Sequence, residues 1–194
     1  MTAFGVRLAL IPVSYLNQIT YDTVHLIEKR SPELFSVVGA LVREAAQIGA
    51  FFLLGGVLTS ARWQLENGPL ARGIEERLEQ FVGLTRALGW GAFYTDEFVP
   101  GRSLILRSPI THESAYYAIR HGATVRSRLF FQQGVALALM RLLHQVDFDV
   151  EQPITQQVYD SLFKGGTRFH VHETRSPLRG DGVCEVRVEA MYER

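Results

Sequence analysis

Apolar residues recur at helical spacing through most of the first ninety positions and again over 127–145, while two later stretches alternate apolar and polar residues as strands do. Leu16, Ile19, Val24, Leu26 and Ile27 give a loosely amphipathic helix over 14–29. Ser31-Pro32-Glu33 then starts a second helix. The serine offers a hydroxyl to free N–H groups, the proline sits where its missing donor costs nothing, and the acid lies beside the positive helix end. This helix is expected to run to Gly55 or on to Glu66, with Gly39, Gly49, Gly55 and Gly56 inside it. Each interior glycine costs about 0.5–1 kcal/mol relative to alanine, so either another backbone comes close or room is kept for something bound. Asn67-Gly68-Pro69 is a break, and Leu70, Ile74, Leu78, Phe81, Val82 and Leu88 then share one face of a third helix that closes at Leu88-Gly89.

Two hairpins follow. Residues 90–99 and 102–107 pair across Pro100-Gly101. After a polar-aromatic segment at 108–126, a fourth helix over 127–145 is apolar nearly all round, through Leu129, Phe130, Phe131, Val135, Leu137, Leu139, Met140, Leu142 and Leu143, and is expected at the centre of the core. A loop at 147–153 and a short helix at 154–163 lead to strands at 168–173 and 183–189. Phe169 and Val171 alternate with Arg168, His170 and His172 on the first of these, which turns one face to the core. The predicted order is ααα-ββ-α-ββ, an α+β domain with helices packed on an antiparallel sheet made of two hairpins.

Composition narrows the function. With 194 residues, 47% of them hydrophobic, the chain is long enough for one core, and a single domain over 1–194 is expected. Twenty acidic and twenty basic residues cancel, and Arg102, Arg107, Arg120, Arg126 and Arg128 are scattered, so neither nucleic acid nor an anionic membrane is an expected partner. The longest uncharged apolar run, 48–58, is shorter than the roughly 18–20 residues of a membrane span. Residues 1–13 carry only Arg7 and no cleavage signature. The single cysteine excludes an internal disulfide and fits a reducing compartment, so a cytoplasmic location is expected.

No stretch specifies a reaction. The segment 49–56 lacks the Gly-Lys-Ser/Thr ending of a phosphate loop. His170 and His172 share a strand face without the further ligands a metal needs. Cys184 reads as a small buried hydrophobe, and Glu113 and Glu173, which could pair as acid and base, are discounted because separated carboxylates are commonplace. The aromatic set is more informative. Phe93, Tyr116, Tyr117, Phe130, Phe131 and Phe169, with His121 as a polar handle, lie on elements that should meet in the core and are candidate ligand-binding residues.

Glu173-x-x-Ser176-x-x-x-Gly180-Asp181-x-x-Cys184 resembles the closing signature of the 4-vinyl-reductase-like (hydrocarbon-binding) domains, in which the serine position is usually cysteine. Leu129-Phe130-Phe131-Gln132-Gln133-Gly134 resembles that family's Cys-aromatic-aromatic-x-x-Gly helix start, and Ser108 stands where a serine ends the second strand. The resemblance covers 34–191, leaving 1–33 as a helical extension and possible dimer contact. It implies a fold shared with small subunits of the transport-protein-particle tethering complex, a hydrophobic or aromatic small molecule in the core, and a homodimer. Family members that hold zinc do so through cysteines and the glutamate of the signature. Here Leu129 and Ser176 replace two of them beside Glu173 and Cys184, so no zinc and no other cofactor is expected. The resemblance thus implies a non-enzymatic sensor or carrier whose output passes through a separate protein partner. A scaffold role in protein assembly is the alternative, and action on a vinyl-bearing tetrapyrrole finds no redox cofactor motif to support it.

Overall fold

A computed structural model describes residues 2–3, 6–7, 11–148 and 154–191. Two-residue strands β1 (Thr2–Ala3) and β2 (Val6–Arg7) pair with each other. A helical run follows as α1 (Val13–Asn17), a π turn (Gln18–Asp22) and α2 (Thr23–Arg30). After a 3-10 turn at Pro32–Leu34 come α3 (Phe35–Thr59), α4 (Ala61–Asn67) and α5 (Ile74–Ala87). Strands β3 (Tyr94–Val99) and β4 (Ser103–Ser108) lead to α6 (His112–Arg120), α7 (Phe130–Gln145) and α8 (Gln156–Gly165), and β5 (Phe169–Arg175) and β6 (Cys184–Ala190) close the chain. The rest of residues 1–10 and most of the expected 147–153 loop lie outside the described residues.

The four longer strands form one antiparallel sheet in the order β3-β4-β6-β5, so the two hairpins join through β4 and β6. Cys184, Val186 and Val188 of β6 are fully buried on its inner face. Its outer face carries ion pairs of Arg107 with Asp96 and Glu185, and of Arg187 with Glu97 and Glu189. This division suits an antiparallel sheet covered on one side. Helix α7 fills the covered side, with Val135, Ala136, Ala138, Leu139, Met140 and Leu142 at 0% exposure, as its all-round apolar pattern predicts.

Helix α3 lies along α7. The contact is closest at Gly134, where a Cβ would stand 2.5 Å from the Arg43 carbonyl oxygen and 2.7 Å from the Gln47 nitrogen. Gly39 admits the Phe130 ring in the same way, whereas Gly49 has nothing within 4 Å. By length and composition Pro32–Thr59 also passes as a membrane-spanning helix, but here its inner face is part of the protein core.

The α+β architecture and the antiparallel sheet agree with the sequence pattern. Three local features differ. The segment 108–126 contains α6, whose first turn is closed by a reciprocal Thr111–Ser114 capping box rather than by an acidic partner. Ser31 makes no side-chain cap, because a 3-10 turn intervenes before α3. Ser60 divides the long second helix by capping α4 through the Trp63 N–H.

Gly134→Ala is expected to destabilise the protein by about 3 kcal/mol, because the clash is with backbone. Gly49→Ala is expected to stabilise it by about 0.5–1 kcal/mol. Urea midpoints of the two variants check this; effects of the same sign would refute the α3–α7 contact at Gly134.

Candidate functional site

The amino end of α7 points into the protein and must satisfy N–H groups that no preceding turn can accept. Two carboxylates meet them. Glu173 continues the inward face of Phe169 and Val171 as the last such position of β5 before a register shift. Its Oε2 accepts from the Arg128 N–H at 2.8 Å, the Leu129 N–H at 3.0 Å and the Ser127 hydroxyl at 2.8 Å. Glu113, one residue into α6 and fully buried, accepts from the Phe131 and Gln132 N–H groups, both at 2.9 Å, and from the Tyr21 hydroxyl at 2.6 Å. Burial pushes the Glu113 carboxyl up to about 7 against the pull of these three donors. Arg128, 2% exposed, pairs with Glu28 and lies over the rings of Phe35 and Tyr117, which ties α2 to the same point.

Beside this node opens an apolar groove of about 420 Å³, lined by Leu16, Asn17, Thr20 and Tyr21 from α1 and the π turn, by Leu41, Val42, Ala45 and Ala46 of α3, and by His112 and Phe131. Phe131 meets His112 at 4.8 Å between ring centroids and Trp90 at 5.2 Å. Among these apolar walls, the polar groups are bound in a defined way. Asn17 Nδ2 donates to the His112 carbonyl at 3.1 Å, and its Oδ1 lies 2.8 Å from His112 Nδ1. A carbonyl can only accept, so the amide orientation is set and Nδ1 must carry the proton. His112 Nε2 then presents a lone pair and has no partner among the described residues. Burial pulls the imidazole down to about 4, so the ring is neutral at physiological pH and acts as an acceptor.

The sequence-predicted ligand residues divide among five places. Phe131 lines the groove. Tyr116 and His121 converge on Asp22 of the π turn, at 2.9 and 2.8 Å, and the Tyr117 hydroxyl donates to the Tyr21 carbonyl at 3.3 Å. Phe130 packs in a small cluster with Tyr21, Val24, Tyr117 and Leu178, and Phe93 is fully buried in the main core. Phe169 lies on the opposite flank of α3, in a separate cleft. Asn17, Tyr21 and His112 did not stand out in the sequence. A buried asparagine and tyrosine four residues apart on an amphipathic helix were the available signal, and a π turn, which often marks functional sites, is not visible in composition.

The positions corresponding to the family's zinc ligands do not fit a metal. Leu129 offers only carbon, the Ser176 hydroxyl accepts from the Leu178 N–H at 3.3 Å, and Cys184 Sγ donates to Ser114 Oγ at 3.3 Å, while burial raises its thiol pKa. Glu173 Oε2 is already shared by three donors. The turn between β5 and β6 is held instead by Asp181, which accepts from the Ser176 N–H at 2.7 Å, and by Gly180 at φ 90°.

No family model matches the chain, and no curated protein matches it. Solved structures do. The crystal structure of the phenol-responsive sensory domain of the transcription activator PoxR with phenol superposes with a TM-score of 0.66 at 12% identity, over 96% of this chain and 78% of that one. At that identity the likeness establishes a shared fold.

Glu113→Gln places an amide against three donors, and is expected to cost about 1–3 kcal/mol. A carboxyl raised from its unfolded value to about 7 favours the folded state fully below the unfolded pKa and loses that advantage as pH rises towards 7. The stability gap between wild type and variant is therefore expected to be widest near pH 4.5 and to shrink by pH 8, as read by urea unfolding across that range. A gap that widens with pH would mean that the carboxylate form is the one the fold prefers.

Proposed function

We propose that this chain is a zinc-free relative of the 4-vinyl-reductase-like domains, and that its apolar groove binds a small hydrophobic or aromatic molecule bearing one hydroxyl. The observation that carries this reading is the unpartnered acceptor nitrogen of His112, held in one tautomer by Asn17 at the edge of a groove floored by Phe131. A hydroxyl donor meets that nitrogen while the ring or alkyl body replaces water on Leu16, Val42, Ala45 and Phe131. The shared fold of a domain whose structure was determined with phenol supports the same chemistry. The role is sensing or carriage rather than catalysis, with output through a separate protein.

A homodimer belongs to this reading. Ile11, Val13, Tyr15, Leu16 and Ile19 at the N-terminal helix, with Val37 and Leu41 of α3, are each at least 45% exposed, and a second copy is the partner proposed for this face. A cytoplasmic location suits the free buried Cys184 and remains part of the proposal.

Calorimetric titration with phenol and toluene tests the groove. His112→Leu is expected to weaken phenol about three- to tenfold, the value of one hydrogen bond, and to leave toluene unchanged. Phe131→Ala is expected to weaken both. Equal loss of phenol and toluene in His112→Leu would remove the acceptor role. Native mass spectrometry of the purified protein at micromolar concentration is expected to give a dimer without zinc that retains a small apolar ligand. Stoichiometric zinc would overturn the metal-free reading, and an empty monomer would favour a scaffold.

A further inference from the structure

Helix α3 has a second flank. Ala40, Arg43, Glu44 and Gln47 follow i, i+3, i+4, i+7 spacing and face away from the positions 41, 42, 45 and 46 that wall the groove. They border a separate cleft of about 330 Å³, closed by Leu137 and Arg141 of α7 and by Phe169, His170 and Val171 of the edge strand β5. The volume admits a small molecule, and its walls are about equally polar and apolar in character.

Two groups in this cleft lack the partners that burial demands. Gln47 is 4% exposed, and its Nε2 has no hydrogen-bond partner. A buried amide donor left in this way is costly, so an occupant that accepts from it is favoured. Arg43 is half-buried and makes no ion pair among the described residues; Nη1 donates to Gln133 Oε1 at 3.2 Å, and the rest of the guanidinium edge is uncommitted. Burial lowers its pKa from the ordinary value, as expected of a cation without a counter-charge. Arg141 adds positive charge at the far wall while donating to Gln145 Oε1 and the Leu162 carbonyl. The one acid on the rim is Glu44, which is exposed.

We propose that the α3–β5 cleft is a second binding site, separate from the groove, for a small organic carboxylate: the carboxylate takes the free edge of Arg43 and the Gln47 amide, and its apolar body rests on Leu137, Phe169 and Val171. A planar guanidinium edge beside an amide donor suits a carboxylate, whereas a phosphate dianion would leave charge unmatched at a single uncommitted arginine.

Benzoate is the probe and benzyl alcohol its neutral control. Wild-type protein at pH 7 is expected to bind benzoate saturably and about tenfold more tightly than benzyl alcohol, as a charge-assisted hydrogen bond warrants. Arg43→Gln is expected to erase that preference, and Gln47→Leu to weaken benzoate about threefold. Phenol binding in the groove stays unchanged in both variants, which separates this site from the one under Proposed function. Amide chemical shifts of the wild-type protein give a readout that needs no variant: benzoate is expected to perturb Gln47 and Val171. Equal affinity for benzoate and benzyl alcohol, an unchanged preference in Arg43→Gln, or shifts confined to Thr20 and Leu41 would each overturn the proposal.

Discussion

The N-terminal helical run, α6 and the closing hairpin meet at the amino end of α7, where N–H groups lie inside the protein and have to be answered by side chains from elsewhere. Glu173 reaches them from β5 and Glu113 from α6, each taking two backbone donors and one hydroxyl. Buried N–H donors at a helix N-terminus are costly when unmet, and carboxyl oxygens meet them here. The central helix, the closing hairpin and α6 are therefore positioned by one electrostatic requirement. The Tyr21 hydroxyl brings the N-terminal helical run into the same arrangement, and Gln132 Nε2 donates to the Leu106 carbonyl at 3.0 Å to anchor the sheet.

The hairpin residues that resemble a family signature in the sequence have structural roles at this node. Glu173, Ser176 and Cys184 keep their places in the hairpin, but each is engaged in hydrogen bonding to protein groups rather than aimed at a common centre. The glutamate serves as a helix cap, the serine closes a local turn with Asp181, and the thiol packs in the core. A hairpin held in this way leaves the neighbouring groove intact, because that groove is walled by α1, the π turn and α3 and shares with the node only Tyr21 and Phe131 and the His112 next to Glu113.

Helix α3 is the other organising element. Its inner face packs on α7 so closely that Gly134 has no room for a Cβ, and its two flanks face different cavities. One flank is apolar and ends at a neutral histidine acceptor; the other carries an arginine and an amide. Opposite chemistry on the two sides of one helix gives the two cavities different characters within a single small domain.

Sequence pattern alone determined the α+β class, both long hairpins and the central place of α7, because burial follows period and each of these is a local regularity; the close backbone contact falls at Gly134 rather than at Gly39, Gly49 or Gly55. The pattern placed Phe131 among the candidate residues for the same reason: an aromatic on the most apolar helix must face something in the interior. The convergence of Asn17 and Tyr21 on residues about 95 positions away, the tautomer of His112, and the meeting of Glu113 with Glu173 at one helix end were decided only by tertiary structure. They depend on which elements become neighbours and on the geometry of individual donors and acceptors, and a hydrogen bond between distant residues leaves no period in the chain.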